Sequence, residues 1–386
     1  MKSLRDPLYQ PLAREFRTLR SVEELVDWLN RMKFELGDEA TDPLTLQQVT
    51  AYAYGKRMHA YKRFEIPKRS GGMRQIDAPN GRLSAIQHCL NTAFQQLYDP
   101  TPQAIGFVPG RNVADNAALH VGRKYLLNVD LKDFFPSISE GRVYAVLQLA
   151  PLNLAPKVAS VVAGLCCRRE WVPDAPDSDR GHWHGSLPQG APTSPILTNY
   201  VCRQLDRQLA RLARRFGVCY SRYADDMSFS ANRACFKPSG QFMTSLREII
   251  ERNAFTINEA KVRVQEAAYR QEVTGLVVNT KVNVPKRYVR QIRVGLYFWE
   301  HYGEERAARL FGDYRGVPCK SLWAVLGGKL QYMRMVKGSD DPTYAKLAAR
   351  FAALTRRGGG SGAEGDGDPI LEMLARLEAA GLRGAG

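Results

Sequence analysis

The chain has 386 residues, enough for two or three subdomains around a substantial core. Lysine and arginine outnumber aspartate and glutamate by 55 to 39, a formal net charge of +16. Such an excess points to a polyanionic partner through counterion release, without by itself separating nucleic acid from an anionic membrane.

No run is apolar for long enough to span a bilayer, and MKSLRDPLYQ has no apolar signal-peptide core, so a cytoplasmic protein without membrane contact is expected. The seven cysteines are scattered without a CxxC pair, which indicates neither a disulfide framework nor a structural zinc site.

Residues 1–60 read as a helical N-terminal extension. Ser21 and Glu24 have capping-box spacing, and Val22, Leu25, Val26 and Leu29 form an apolar stripe behind them. Residues 61–79 read as strand, Gly-Gly turn, strand, with Lys68, Arg69 and Arg74 around the tip. Cations converging there suit a triphosphate or a template backbone; a solvated charged hairpin is the plainer alternative. Leu83 to Tyr98 returns to a helical pattern.

KYLLNVDL is strand-like and puts Asp130 near its C-terminal end. Residues 139–185 contain an apolar helical stretch and then a loop rich in Pro, Asp and Gly. His182 and His184 alternate in that loop, but no Cys or third His stands nearby to complete a metal site. In LPQGAPTSP, Gln189 and Gly190 form a turn with exposed backbone, and Ser194 and Pro195 open a helix.

RYADDMSF, residues 222–229, places Asp225 and Asp226 between two strand-like runs. Side chains alternate along a strand, so neighbouring acids at a bend cannot both enter a core. An Asp-rich turn is the bland explanation. Together with the distant Asp130, however, these acids supply what a two-metal phosphoryl-transfer centre requires. Two Mg²⁺ ions about 4 Å apart would activate a hydroxyl and stabilise departing pyrophosphate. Lys261 is a candidate general acid, and Lys68 and Arg74 are candidate triphosphate clamps.

QEVTGLVVN, residues 271–279, reads as a short strand pair, and residues 286–299 as a two-faced helix. Val289, Ile292, Leu296 and Trp299 form its buried stripe, with Lys286, Arg290 and Arg293 opposite, as suits either a sugar-phosphate backbone or water. SLWAVLGGKLQYMRMV is expected to be a helix pair, residues 356–368 a flexible linker, and residues 369–382 a short amphipathic segment.

The ordered run DLKDFFPSI, LPQGAPTSP, YADD, INEAK and VTGLVVN resembles the palm motifs of reverse transcriptases, and NAALH with VTG resembles elements of bacterial retron enzymes. The resemblance spans about residues 61–335. It implies an α+β right-hand polymerase fold with fingers, a palm of antiparallel sheet and flanking helices, and a helical thumb. The expected division is 1–60 extension, 61–280 fingers and palm, 281–355 thumb, and 356–386 linker and terminal helix.

The implied metal set is Asp130, Leu131, Asp225 and Asp226, and the implied dNTP contacts are Lys68, Arg74, Phe135 and Gln189. Phe135 would lie beneath the incoming sugar and exclude a ribose 2′-OH. RNA contacts are expected from Asn116, His120, Val273, Thr274, Gly275, Lys286, Arg290 and Arg293. His120 also reads as a packing histidine, and the two roles are compatible. The resemblance further implies a structured noncoding RNA (msr-msd) as template and primer. Synthesis would start from an internal 2′-OH and leave a branched msDNA, in antiphage defence beside a separate effector protein.

An intron-type or diversity-generating reverse transcriptase, an RNA-dependent RNA polymerase and a non-catalytic RNA scaffold are the competing readings. Missing maturase segments, Gln189 within PQG, Phe135 in place of a second Asp, and the costly clustered acids argue against each in turn.

Overall fold

The computed structural model describes residues 6–38, 42–55, 60–67, 71–174 and 180–358. The chain forms two compact units, Met1–Glu266 and Ala267–Gly386. That boundary precedes the expected one at residue 280 and assigns the VTG segment to the second unit. Lys68 and most of the expected linker, with the terminal segment after it, lie outside the described residues.

The first unit is built on a four-stranded antiparallel sheet. Its strands are β3 (Tyr125–Asp130), β6 (Cys219–Tyr223), β7 (Asp226–Ala231) and β8 (Arg263–Glu266), in the order β6-β7-β3-β8. Two hairpins stand apart from it, β1 (Tyr61–Pro67) with β2 (Met73–Pro79) and β4 (Arg168–Pro173) with β5 (Gly181–Ser186). The period of two divides the central sheet cleanly. Leu127, Val129, Met227 and Phe229 enter the core from one face, while Asp130, Asn128, Asp226 and Ser228 share the other.

The N-terminal helices Gln10–Phe16 and Val22–Glu35 are part of this core. The Phe16 ring lies 4.7 Å from Trp28 and 5.9 Å from Phe94 of the Gly81–Leu97 helix. All three rings are fully buried, and truncating any of them to Ala is expected to cost about 3–5 kcal/mol. Ser21 caps the second of these helices through the Glu24 N–H, while Glu24 accepts from Arg20 N at 2.7 Å.

Within the segment expected as a loop, β4 and β5 instead pair as a hairpin. Trp171 and Trp183 pair across it, and β-propensity of the cross-strand aromatic pair outweighs the turn-rich composition. His182 and His184 are exposed on β5, and neither joins a metal cluster among the described residues.

In the second unit, β9 (Glu272–Val273) and β10 (Leu276–Val277) form the expected short pair. Thr274 and Gly275 occupy the turn, both with positive φ. The helix Lys286–Arg315 is broken at Gly303, φ 72°. Gly295 comes within contact distance of Phe311, which a straight helix would hold about 24 Å away, so the chain doubles back there. Residues 321–336 form one helix, Leu322–Lys337, rather than a pair, and Pro342–Gly358 follows it. Helix propensity of the flanking residues carries the chain through Gly327 and Gly328, whose weakening effect is about 1 kcal/mol each.

The resulting α+β architecture, a palm sheet with flanking helices and a helical C-terminal unit, is the right-hand polymerase class expected. The seven cysteines form no disulfide with one another. Among the described residues no helix is long and apolar enough to cross a membrane.

Candidate active site

Asp130 ends β3, and the ladder register places it directly opposite Asp226, the first residue of β7. Asp225 lies in the two-residue turn between β6 and β7, where Tyr223 pairs with Asp226. Its carbonyl accepts from Leu131 N at 3.2 Å, so backbone bonds as well as the ladder hold the three acids on one short stretch of sheet. The Asn258 N–H donates to the Asp130 carbonyl at 2.8 Å, and the Lys261 Nζ lies 2.9 and 3.1 Å from the two Asp130 carboxylate oxygens.

Burial and then Asp130 raise the Asp225 carboxyl above its ordinary range, with Lys261 and Arg74 opposing. Asp226 is pushed up to about 7 by burial, Asp225 and Asp130. Arg263, opposite Asn128 across the β3–β8 ladder, is the largest influence pulling it back. The three clustered carboxylates, of which Asp225 and Asp226 are held above their ordinary range, form a hard-oxygen donor set suited to a divalent cation, which would relieve their repulsion. With Asp130 drawn onto Lys261, no three acidic, His or Cys side chains among the described residues gather at one point. Leu131 follows the same strand end with its side chain buried, which leaves only its backbone to serve a metal.

The turn that carries Asp225 is strained: Ala224 has φ 59°, a conformation that costs on the order of 1–3 kcal/mol when the surroundings enforce it. What enforces it lies beneath the sheet. Arg222, with no exposed surface, donates to Asp206 through Nε at 2.8 Å and Nη2 at 2.7 Å, to Asn199 Oδ1 at 3.1 Å and, through Nη1, to the Ala224 carbonyl at 3.2 Å. Tyr220 donates to the same Asp206 carboxylate. Asn199 also donates to the Gly106 carbonyl at 2.9 Å. A Cβ on Gly106 would stand 2.6 Å from Ala224 N, so only glycine lets these segments approach so closely. None of Arg222, Asp206, Asn199 or Gly106 was singled out by sequence, although the arginine is part of RYADD and the glycine part of GFVPG.

Arg74 is exposed on β2 and near enough to influence Asp225. Gln189 is half-buried and its carbonyl accepts from Asp77 N at 2.8 Å, tying the PQG turn to β2. Phe135 is half-buried, 5.5 Å from Phe134 and 6.3 Å from Phe107, which itself lies 6.5 Å from Tyr223. Phe107, at φ 60°, and Tyr223 thus join the neighbourhood expected for a dNTP without having been anticipated.

Asn116 and His120 depart from the expected RNA contact, because both side chains are fully buried. The His120 ring lies 2.8 Å from both Ser221 Oγ and Ser230 Oγ, and Ser221 donates to Asn116 Oδ1 at 2.6 Å. Burial and Arg123 lower the imidazole pKa to about 4. NAALH therefore fastens the YADD hairpin on the same sheet face as Asp226, farther along the strands from the turn. Val273 is likewise buried, so in VTG only Thr274 and Gly275, at the turn, are partly or fully exposed. Lys286, Arg290 and Arg293 are exposed on their helix.

Residues 66–279, more than half of the chain, match the family described as reverse transcriptase (RNA-dependent DNA polymerase). The chain is 36% identical over 309 residues to the retron Mx65 reverse transcriptase of Myxococcus xanthus, covering 76% of this chain and 65% of that one. It is 35% identical to the retron Mx162 enzyme of the same organism (61% and 52% covered) and 31% identical to the retron Ec86 enzyme of Escherichia coli (58% and 65%). It thus spans less than two thirds of each of these relatives. A solved telomerase from Candida albicans superposes with a TM-score of 0.41 at 11% identity, over 82% of this chain and 66% of that one. With the acids on one sheet face and the family match running through every strand that holds them, the chain belongs to the reverse transcriptase family.

Proposed function

We propose that this protein is a retron-type RNA-directed DNA polymerase. It copies part of a structured noncoding RNA (msr-msd) from an internal 2′-OH and leaves a branched msDNA. The observation that carries this reading is the placement of Asp130 opposite Asp226 with Asp225 in the adjoining turn. The identity to enzymes named as retron reverse transcriptases supports the retron type.

Asp130, Asp225, Asp226 and the backbone of Leu131 would hold two Mg²⁺ ions. Those ions supply hydroxyl activation and neutralise charge on the pyrophosphate. Arg74 and Lys68 orient the triphosphate, and Phe135 lies against the sugar. Lys261 serves Asp130 as a counter-charge and supplies the proton taken by the departing pyrophosphate. The helix face of Lys286, Arg290 and Arg293, with the Thr274–Gly275 turn, binds RNA. The setting is the cytoplasm, in antiphage defence with a separate effector protein.

The test is to extract nucleic acid that copurifies with the protein, treat it with RNase, debranch it and sequence what survives. A short single-stranded DNA joined 2′-5′ to one defined RNA is the expected product. Heterogeneous RNA alone, with synthesis on any primed template, would reassign the chain to a generic or intron-type enzyme.

A further inference from the structure

Lys286, Arg290, Arg293 and Tyr297 succeed one another at intervals of four, three and four residues on the Lys286–Arg315 helix, and all four are exposed. At 3.6 residues per turn they form a single stripe. The stripe ends in a shallow basin of about 490 Å³ lined by Arg293, Val294, Tyr297, Phe298, Tyr314 and Arg350. The fold-back at Gly303 is what brings Tyr314, seventeen residues beyond Tyr297, to the same depression.

Two aromatic rings remain open to solvent there, Tyr297 at 49% and Tyr314 at 45% exposure. Tyr297 is braced by the His301 ring at 4.1 Å, and Tyr314 stacks on Phe311 at 6.2 Å. The acid beside the basin, Glu300, is neutralised by Arg350, which donates to both carboxylate oxygens at 2.9 and 2.7 Å. Arg293 is left as an exposed cation on the rim. Braced, solvent-facing rings at the end of a row of cations match a ligand with a flat π-face and a chain of phosphates. A lipid surface would instead call for one continuous exposed apolar helix face, whereas the exposed residues of this stripe are three cations and one tyrosine.

We propose that the basin seats one unpaired nucleotide of the template RNA. Its base stacks on Tyr297 and Tyr314, and its neighbouring phosphates meet Arg293, Arg290 and Lys286. This rests on the RNA-directed reading above, and it adds a base-stacking site to what was only a charged helix face.

The experiment measures binding of the full chain to a short single-stranded RNA and to a blunt duplex RNA of the same length, across a salt series. Tyr297→Ala and Tyr314→Ala are expected each to weaken the single strand roughly tenfold while leaving the duplex and the salt slope unchanged. Tyr297→Phe and Tyr314→Phe retain the stacking face and should bind as the parent does, which separates stacking from misfolding. Arg293→Ala should instead lower the salt slope by about one. Unchanged single-strand affinity in both alanine variants, an equal loss on the duplex, or a loss in the Phe variants would each overturn the base seat.

DNA synthesis on a primed RNA is scored separately. No synthesis with tyrosine-dependent RNA binding would remove the polymerase reading and leave the seat. Synthesis with tyrosine-independent binding would remove the seat alone.

Discussion

Asp130 and Asp226 are direct partners across the β3–β7 ladder, so two carboxylates share one sheet face with no side chain between them. Such a pair is unfavourable in an apolar setting unless a cation is supplied. In this arrangement Lys261 supplies it to Asp130, while Asp226 answers by holding its proton.

The first prediction follows from that proton. The folded carboxyl of Asp226 titrates near 7 rather than 3.8, so the folded state binds the proton more tightly than the unfolded chain. Ionisation therefore lowers stability progressively as pH rises through that window. In the absence of divalent cations, Asp226→Asn should melt higher than the parent at pH 8 (on the order of a few degrees), with the gap closing toward pH 4. A gap independent of pH would refute the assignment. With Asp225→Asn added, DNA synthesis should be abolished and RNA binding retained; full activity in the double variant would sink the metal site.

Support from below the sheet gives the second prediction. Gly106→Ala drives a methyl against Ala224 N and should displace the Asp225 turn, lowering synthesis on the order of 100-fold with RNA affinity unchanged. Arg222→Met strands the buried Asp206 carboxylate and should cost about 3–5 kcal/mol in denaturant unfolding. Parent-like turnover in the glycine variant would show that the turn holds itself.

His120 predicts a pH effect of the opposite sign. Its folded pKa is lowered to about 4, so the neutral ring stabilises the fold above pH 6.5, and that contribution is lost as pH falls toward 4. The parent should lose about 3 kcal/mol more than His120→Asn across that range. Parallel stability curves for the two proteins would place His120 outside the hairpin's support.

The fourth prediction concerns sugar choice. Phe135→Ala should admit ribonucleotides, read as the ratio of kcat/KM for ribo- against deoxynucleotides. Phe107→Ala, which removes the ring 6.3 Å from Phe135, should relax discrimination in the same direction but less. Unchanged discrimination in Phe135→Ala would take that ring out of the gate.

The sequence by itself determined the acids, their strands and their order, because a period of two and a turn between apolar runs are written in adjacent residues. It also determined the stripe of Val289, Ile292, Leu296 and Trp299, of which the last three are buried and Val289 half-buried, and with it the exposed face of Lys286, Arg290 and Arg293. Only the tertiary structure decided that Asp130 faces Asp226, since register across about a hundred residues depends on the packing of both strands. Only it turned Arg222 inward, because a charged residue reads as exposed until a distant Asp206 is brought to neutralise it. The burial of His120 and the fold-back at Gly303 have the same origin: each depends on partners far along the chain, which local periodicity cannot name.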